Sequence, residues 1–348
     1  MTIKRQKLAQ NRLKALITEA QSGDMAAFAR LLTEIERLGP SSLAAQELLN
    51  ASDPAFRVGI TGPPGAGKST LISELLGELS SSGVGVQSRV QRSDGVQKSS
   101  DVCQPKIGVL AVDPSSPITH GAILGDRIRY SDHALKENIF IRSLGTRGSL
   151  GGLSASAYLM LRAFDICGFD LVLIETVGVG QVEVEIMNVA DFVTVVLVPE
   201  SGDSIQAMKA GIIEIADLFV VNKSDRPGAE ALKREIEASV AMSAPVAESE
   251  SESESLSSAS SSDTTDSASS SRGVEVLLAS ALKREGLSQV AQAISSAQKN
   301  IDLKKNRSSV KRLREEAKCL MRASLEAEAA RRVAKISNVE DMAKLFQG

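Results

Sequence analysis

The sequence of 348 residues contains no tryptophan, two tyrosines, three cysteines and two histidines. Aromatic residues make up 3% and hydrophobic residues 43%, so the chain can bury a sizeable core that is mainly aliphatic. The cysteines lie far apart without a Cys-x-x-Cys pair, which excludes a disulfide framework and a cysteine metal site and suits a reducing compartment. His120 and His133 are isolated, which argues against a histidine metal or catalytic site.

Long apolar runs and a strong charge excess are also missing. No run approaches the roughly eighteen residues of a membrane span, and no signal-peptide hydrophobic region is present. The net charge of −3 implies neither nucleic acid nor an anionic membrane as a partner. Residues 1–18 are basic, as in a mitochondrial presequence or a solvated helix face. We expect an intracellular protein, in the mitochondrial matrix of a eukaryote or the cytoplasm of a bacterium.

Helices are predicted at both ends of the chain. Apolar residues recur at helical spacing over residues 8–39, with a break and an N-cap candidate at 22–24. Residues 304–348 carry twelve Lys or Arg against six Asp or Glu and indicate a helix that packs on the domain or on a second subunit. We therefore expect helical extensions over residues 1–50 and 301–348, the second serving in dimerisation.

The region between them, residues 51–300, alternates short apolar runs with helical stretches. Continuously apolar runs are typical of parallel strands covered on both faces, so the sequence predicts a doubly wound, mostly parallel α/β domain. Residues 88–106 and 248–272 interrupt the pattern as surface insertions, and the second is Ser-rich, acidic and expected to be disordered. The seven runs cover residues 57–61, 107–112, 139–142, 171–175, 193–198, 218–221 and 274–278.

A phosphate-binding loop follows the first strand. The stretch "GPPGAGKST" matches Gly-x4-Gly-Lys-Ser/Thr and leads into a helix, so its backbone N–H groups and the helix dipole can hold phosphate oxygens. The lysine of this pattern reaches the β- and γ-phosphates and the serine hydroxyl binds Mg²⁺. The loop consists of Gly62, Pro63, Pro64, Gly65, Ala66, Gly67, Lys68, Ser69 and Thr70.

A guanine-reading motif follows a later strand. The stretch "NKSD" places Asn222, Lys223 and Asp225 directly after the run 218–221. An aspartate there accepts hydrogen bonds from guanine N1–H and the exocyclic amine, an arrangement that adenine does not offer. The stretch "ASAL" after the last strand supplies a supporting loop with Ser280, Ala281 and Leu282. The sequence therefore favours GTP over ATP.

Acids at the ends of other strands are candidates for the Mg²⁺ site. Asp113 in "AVDPSSP" can hold the ion directly or through water, or can instead cap a turn before Pro114. Asp126 in "LGDRIR" can join the same site or be an exposed loop acid. Glu175 in "LVLIETVG" can bind through water or orient the attacking water, and Gly178 can offer its N–H to the γ-phosphate.

Together these motifs resemble one family, the GTPases that chaperone adenosylcobalamin-dependent acyl-CoA mutases, known as the MeaB, ArgK and methylmalonic aciduria type A proteins. The resemblance covers roughly residues 10–300. A glutamate in place of the more common aspartate at position 175 is a feature of that family. The stretches that carry it are "GPPGAGKST", "LAVDPSSP", "GAILGDRIR", "IRSLGTRGSLGGLS", "ETVGVGQVEVEI" and "NKSD".

The resemblance implies a dimeric Mg²⁺-dependent GTPase in which Lys68, Asp113, Glu175 and Gly178 serve hydrolysis. It also implies that GTP turnover gates cofactor loading and protection of methylmalonyl-CoA mutase or a related acyl-CoA mutase. The loop 199–211 departs from the Gly-rich form that is usual in the family. Three alternatives are a metal-insertion GTPase of the urease or hydrogenase type, a small-molecule kinase of amino-acid transport and a non-catalytic nucleotide-binding protein.

Overall fold

The fold consists of seven strands, eight α-helices and one short 3₁₀ helix (Ile186–Asn188) within the residues that the structure describes. A computed structural model describes residues 3–38, 54–81, 104–113, 130, 136–145, 153–176, 185–200, 212–243, 274–301 and 310–334. The strands are β1 (Phe56–Thr61), β2 (Ile107–Asp113), β3 (Ile139–Gly145), β4 (Leu171–Glu175), β5 (Phe192–Leu197), β6 (Leu218–Val221) and β7 (Glu275–Leu278). The helices are α1 (Ile3–Gln21), α2 (Met25–Leu38), α3 (Lys68–Ser80), α4 (Ala155–Ile166), α5 (Ile212–Ile215), α6 (Ala229–Ser243), α7 (Leu287–Asn300) and α8 (Val310–Val333).

The seven strands form one sheet in the order β3-β2-β4-β1-β5-β6-β7, and every pair of neighbours is parallel. All seven apolar runs of the sequence are strands, which confirms the doubly wound α/β prediction. Strands β1, β4, β5 and β6 are buried along their whole length, which explains why their sequences do not alternate between apolar and polar residues.

The two faces of the sheet support separate hydrophobic clusters. One cluster includes Leu71 of α3 and Val290 of α7, which cover one face. The other includes Phe28 of α2 and Phe164 of α4, which cover the opposite face. Both clusters are largely aliphatic, as the composition predicts.

The N-terminal helices are joined at the predicted break. Gly23 has a φ of +103°, and Asp24 Oδ1 accepts the N–H groups of Ala26 and Ala27 at 2.8 and 2.9 Å, so it caps α2. The ring of Phe28 lies with its centroid 4.7 to 5.0 Å from three other phenylalanine rings, those of Phe140, Phe164 and Phe169. This concentration of scarce aromatic residues attaches α2 to the sheet and to α4.

Helix α8 lies within the C-terminal segment, and it contacts the rest of the chain through ion pairs. Arg162 of α4 lies 2.6 Å from Glu316, and Arg312 lies 3.0 Å from Asp191 at the start of β5. Residues 39–50 of the predicted N-terminal extension and most of both insertions lie outside the described residues. Within the described ranges, no helix is both long and apolar enough to cross a membrane.

Candidate functional site

The predicted site residues that the structure describes lie at or just beyond the carboxyl ends of the parallel strands. Strand β1 lies between β4 and β5, and the loop that follows it leads directly into α3. In open α/β sheets, ligands bind in the crevice outside these strand ends, where the strand order reverses. Glu175 ends β4 and is paired in register with Ile60 of β1 and with Ala111 of β2.

Close backbone approaches shape the phosphate loop. Gly62 has a φ of +140°, and a Cβ there would lie 2.0 Å from the carbonyl oxygen of Val196. Gly67 has a φ of +82°, and a Cβ there would lie 2.6 Å from Asn222 Nδ2. Gly62 and Gly67 are therefore required by contacts with β5 and with the loop after β6, as well as by backbone conformation.

Lys68 is held against its own loop. Its ammonium group donates hydrogen bonds to the carbonyl oxygens of Gly62 at 2.7 Å and Pro63 at 3.0 Å, and the residue is only 7% exposed. A buried ammonium that donates to neutral carbonyls keeps its charge available for a stronger acceptor such as a phosphate oxygen. The arrangement places a cation at the first turn of α3.

Ser69 and Glu175 form the observed part of the candidate metal site. Ser69 Oγ donates to Glu175 Oε1 at 2.6 Å, and both residues are buried. These hard oxygen donors fit Mg²⁺, which is commonly bound by one or two carboxylates together with phosphate and water. No group of three or more His, Cys, Asp or Glu side chains that could hold a metal occurs among the described residues, and such an all-protein cage is not needed for Mg²⁺.

Several other candidates are placed only in part. Asp113 is the last residue of β2 and lies two residues beyond Ala111, which pairs with Glu175. Only the backbone of Asp113 is among the parts of the chain that the structure describes. Asp126 and Gly178 lie outside the described residues. Arg142 of β3 lies 2.6 Å from Glu36 of α2, so this arginine pairs with the N-terminal helices.

The base-reading loop is braced against the phosphate loop. Asn222 donates from Nδ2 to the carbonyl of Ala66 at 2.8 Å, and its Oδ1 accepts the N–H of Ala281 at 3.1 Å. Lys223 has a φ of +55° and donates from Nζ to the carbonyl of Gly65 at 2.8 Å. One asparagine and one lysine thus connect three segments that are far apart in the sequence.

Asp225 is oriented by the loop after β7. Ser280 Oγ donates to Asp225 Oδ1 at 2.6 Å, and this hydrogen bond lowers the pKa of the Asp225 carboxyl below its usual value. An ionised carboxylate near neutral pH is the acceptor that two guanine donors require.

Two other predicted site residues are exposed. Thr70 is exposed at the start of α3, and Leu282 is 85% exposed on the same loop as Ser280.

Two contacts of the site were missed by the sequence reasoning. The buried hydroxyl of Tyr130, which directly follows the stretch "GAILGDRIR", donates to Glu175 Oε2 at 2.6 Å. Thr176 Oγ1 lies 2.9 Å from Thr61 Oγ1 and connects the ends of β4 and β1. The sequence signal for the first contact was the scarcity of tyrosine, since the chain contains two tyrosines.

A comparison with known families shows to which family the chain belongs. The sequence profile of the family described as methylmalonyl-CoA mutase-associated GTPase MeaB matches residues 28–90 and 102–337, which is most of the chain. A Pyrococcus abyssi protein described as a GTPase is 43% identical over 233 residues, which cover 66% of this chain and 64% of that protein. The aligned part of the chain therefore spans slightly less than two thirds of that relative.

Two further comparisons extend the similarity. The mouse methylmalonic aciduria type A homolog, named as mitochondrial, is 40% identical over 181 residues, which cover 52% of this chain and 39% of that protein. The crystal structure of an LAO/AO transport system kinase has a TM-score of 0.54 at 22% identity and covers 92% of this chain and 84% of the other, which supports the fold. On the extent of the profile match, this chain belongs to the MeaB family of mutase-associated GTPases.

Proposed function

We propose that this chain binds GTP with Mg²⁺, hydrolyses it to GDP and phosphate, and uses this cycle to chaperone an adenosylcobalamin-dependent acyl-CoA mutase. Methylmalonyl-CoA mutase or a close relative is the proposed client. GTP turnover would gate loading of adenosylcobalamin into the mutase and its protection from inactivation. The geometry of the site supports the binding of GTP, and the description of the family supports the choice of client.

The observation that carries the nucleotide assignment is the bridge made by Asn222. Its side chain binds Ala66 of the phosphate loop and Ala281 of the supporting loop at the same time. The loop that would hold the base through Asp225 and the loop that would hold the phosphates through Lys68 are then fixed relative to each other by Asn222. A phosphate-transferring kinase of small molecules has no need for this guanine-reading arrangement.

Each side chain has a defined task in hydrolysis. Lys68 would exchange the carbonyls of Gly62 and Pro63 for phosphate oxygens, and Ser69 would offer an oxygen lone pair to Mg²⁺ while its hydroxyl group still donates its hydrogen bond to Glu175 Oε1. A Mg²⁺ ion held there would supply charge neutralisation for the phosphate groups. Asp113 and Asp126 complete the proposed ligand set, and Gly178 the γ-phosphate contact.

The client assignment predicts that a mutase accelerates GTP hydrolysis. Purified methylmalonyl-CoA mutase should raise the turnover of the chain roughly tenfold or more, because a bound partner can supply or orient groups that stabilise the transition state; tenfold is ~1.4 kcal/mol in the barrier. Phosphate release is measured with the chain alone, the mutase alone and both together. The variant Lys68→Ala with mutase controls for a contaminating GTPase.

A rate that is unchanged by the mutase would contradict the client assignment while leaving the GTPase intact. A metal-insertion role predicts instead a cysteine or histidine ligand cluster, and none occurs among the described residues. Cys167 is buried, and burial raises the pKa of its thiol to about 11, which disfavours the thiolate that a metal would need.

We also propose that two copies associate through α8. The side of α8 with Arg312, Glu316 and Cys319 faces the domain, whereas Leu313, Met321 and Leu325 are exposed on a neighbouring stripe. Light scattering on the purified chain should give twice the monomer mass of 36.7 kDa. Replacing Met321 and Leu325 by glutamate should yield monomers, and a monomeric parent protein would contradict this proposal.

A further inference from the structure

The hydroxyl group of Tyr130 extends the candidate metal site beyond the predicted residues. It donates to Glu175 Oε2 at 2.6 Å, while Ser69 Oγ donates to Glu175 Oε1 at 2.6 Å. Each oxygen of the carboxylate therefore accepts a separate hydroxyl group. Distances near 2.6 Å are typical of hydroxyl donors that bind an ionised carboxylate.

The tyrosine is a rigid donor. Tyr130 is 1% exposed, and its ring belongs to the hydrophobic cluster that also contains Ile60 and Leu173 of the strands β1 and β4. Packing of the ring fixes the position of the hydroxyl oxygen without any contribution from the hydrogen bond. Because packing already holds the hydroxyl group in place, its hydrogen bond can orient the carboxylate that accepts it.

Glu175 needs such an orienting group more than an aspartate would. A glutamate has one more rotatable bond than an aspartate, so its carboxylate can take more positions at the end of the same strand. Glu175 is 7% exposed, so an oxygen that lost its donor would be poorly compensated by water. The hydroxyl of Tyr130 limits rotation of the carboxylate and directs Oε1 towards Ser69.

We propose that Tyr130 is a positioning residue that fixes the Glu175 carboxylate and thereby sets the Mg²⁺ concentration required for GTP hydrolysis. This inference rests on the proposed role of Glu175 at the Mg²⁺ site. It assigns a task to a residue outside the phosphate loop, the guanine-reading motif and the acids at the strand ends. Groups that orient metal ligands typically change metal affinity or activity by about 10- to 100-fold when removed.

The test is the Mg²⁺ dependence of GTP hydrolysis in the full-length chain. Tyr130→Phe keeps the ring and its packing and removes only the hydroxyl, so the Mg²⁺ concentration for half-maximal hydrolysis should rise about tenfold. Affinity for GDP measured in EDTA should stay within about twofold of the parent, because no nucleotide contact is removed. A purely structural role would lower the unfolding temperature and leave the Mg²⁺ requirement unchanged.

The matched control removes the other phenolic hydroxyl of the chain. Tyr158 lies on α4 in the hydrophobic cluster of the opposite face of the sheet, so Tyr158→Phe should leave the Mg²⁺ requirement at the parental value. Glu175→Gln should raise the requirement by itself. Adding Tyr130→Phe to Glu175→Gln should then have little further effect, because the tyrosine acts through that carboxylate.

The outcomes separate this inference from the proposed function. If Glu175→Gln raises the Mg²⁺ requirement and Tyr130→Phe does not, the positioning role is overturned and the metal role of Glu175 stands. Independent, multiplicative effects of the two substitutions would also overturn it. If neither substitution changes the requirement of an active GTPase, the metal role of Glu175 fails and the inference fails with it.

Discussion

Replacing Lys68 with alanine is expected to weaken GTP binding by at least about 100-fold. The ammonium group of Lys68 lies buried at the start of α3 and donates to two loop carbonyls that a phosphate would outcompete. Two charge-assisted hydrogen bonds of roughly 1.5 kcal/mol each correspond to about two orders of magnitude in affinity. Titration with a fluorescent GTP analogue measures the dissociation constants of the parent and the variant.

Lys136→Ala is the matched control for this measurement. Lys136 is an exposed lysine just before β3, at the end of the sheet opposite the phosphate loop, so its loss should leave GTP affinity unchanged. Circular dichroism shows whether Lys68→Ala remains folded after losing its contacts to Gly62 and Pro63. A folded Lys68→Ala variant with GTP affinity within about threefold of the parent would refute the phosphate-loop assignment.

Replacing Asp225 with asparagine is expected to change the preferred base from guanine to xanthine. The carboxylate would accept hydrogen bonds from guanine N1–H and from the exocyclic amine. The NH₂ group of an asparagine would instead place a donor opposite that amine, so no hydrogen bond could form there. GTP affinity should fall about 100-fold, and xanthosine triphosphate should gain affinity because its carbonyl accepts from the new amide. Competition titrations with both nucleotides give the two affinities.

Inosine triphosphate lacks the exocyclic amine of GTP, so its affinity measures how much the contact between Asp225 and that amine contributes to binding. The parent should bind it more weakly than GTP, and Asp225→Asn should bind the two almost equally. Ser280 can still donate to the oxygen of the asparagine, as it does to Asp225 Oδ1, so the loop should keep its shape. Unchanged GTP affinity together with no gain for xanthosine triphosphate would overturn the base-reading assignment.

Local sequence patterns were sufficient to predict the elements of this fold. Fully buried strands such as β1 and β5 produce continuous apolar runs, and the glycine and aspartate at 23 and 24 mark the turn between α1 and α2. These signals depend on neighbours in the chain. The parallel sheet followed because strands and helices alternate along the sequence.

Contacts between distant segments could not be predicted in the same way. Phe28 meets Phe140, Phe164 and Phe169 across more than a hundred residues, and no periodicity relates these positions. Tyr130 reaches Glu175 only because the sheet brings their segments together, so the sequence motif identified the acid and not its partner. The order of the strands likewise depends on pairings such as that of β1 with β4 and β5.

The rate of GTP hydrolysis by the purified chain tests the central claim most directly. The account predicts slow release of phosphate from GTP in Mg²⁺, on the order of 10⁻³ to 10⁻² per second, as in GTPases without a partner. It also predicts no release from ATP and none from GTP when EDTA replaces Mg²⁺. Equal hydrolysis of ATP and GTP, or hydrolysis of GTP that persists in EDTA, would contradict a guanine-specific, Mg²⁺-dependent GTPase.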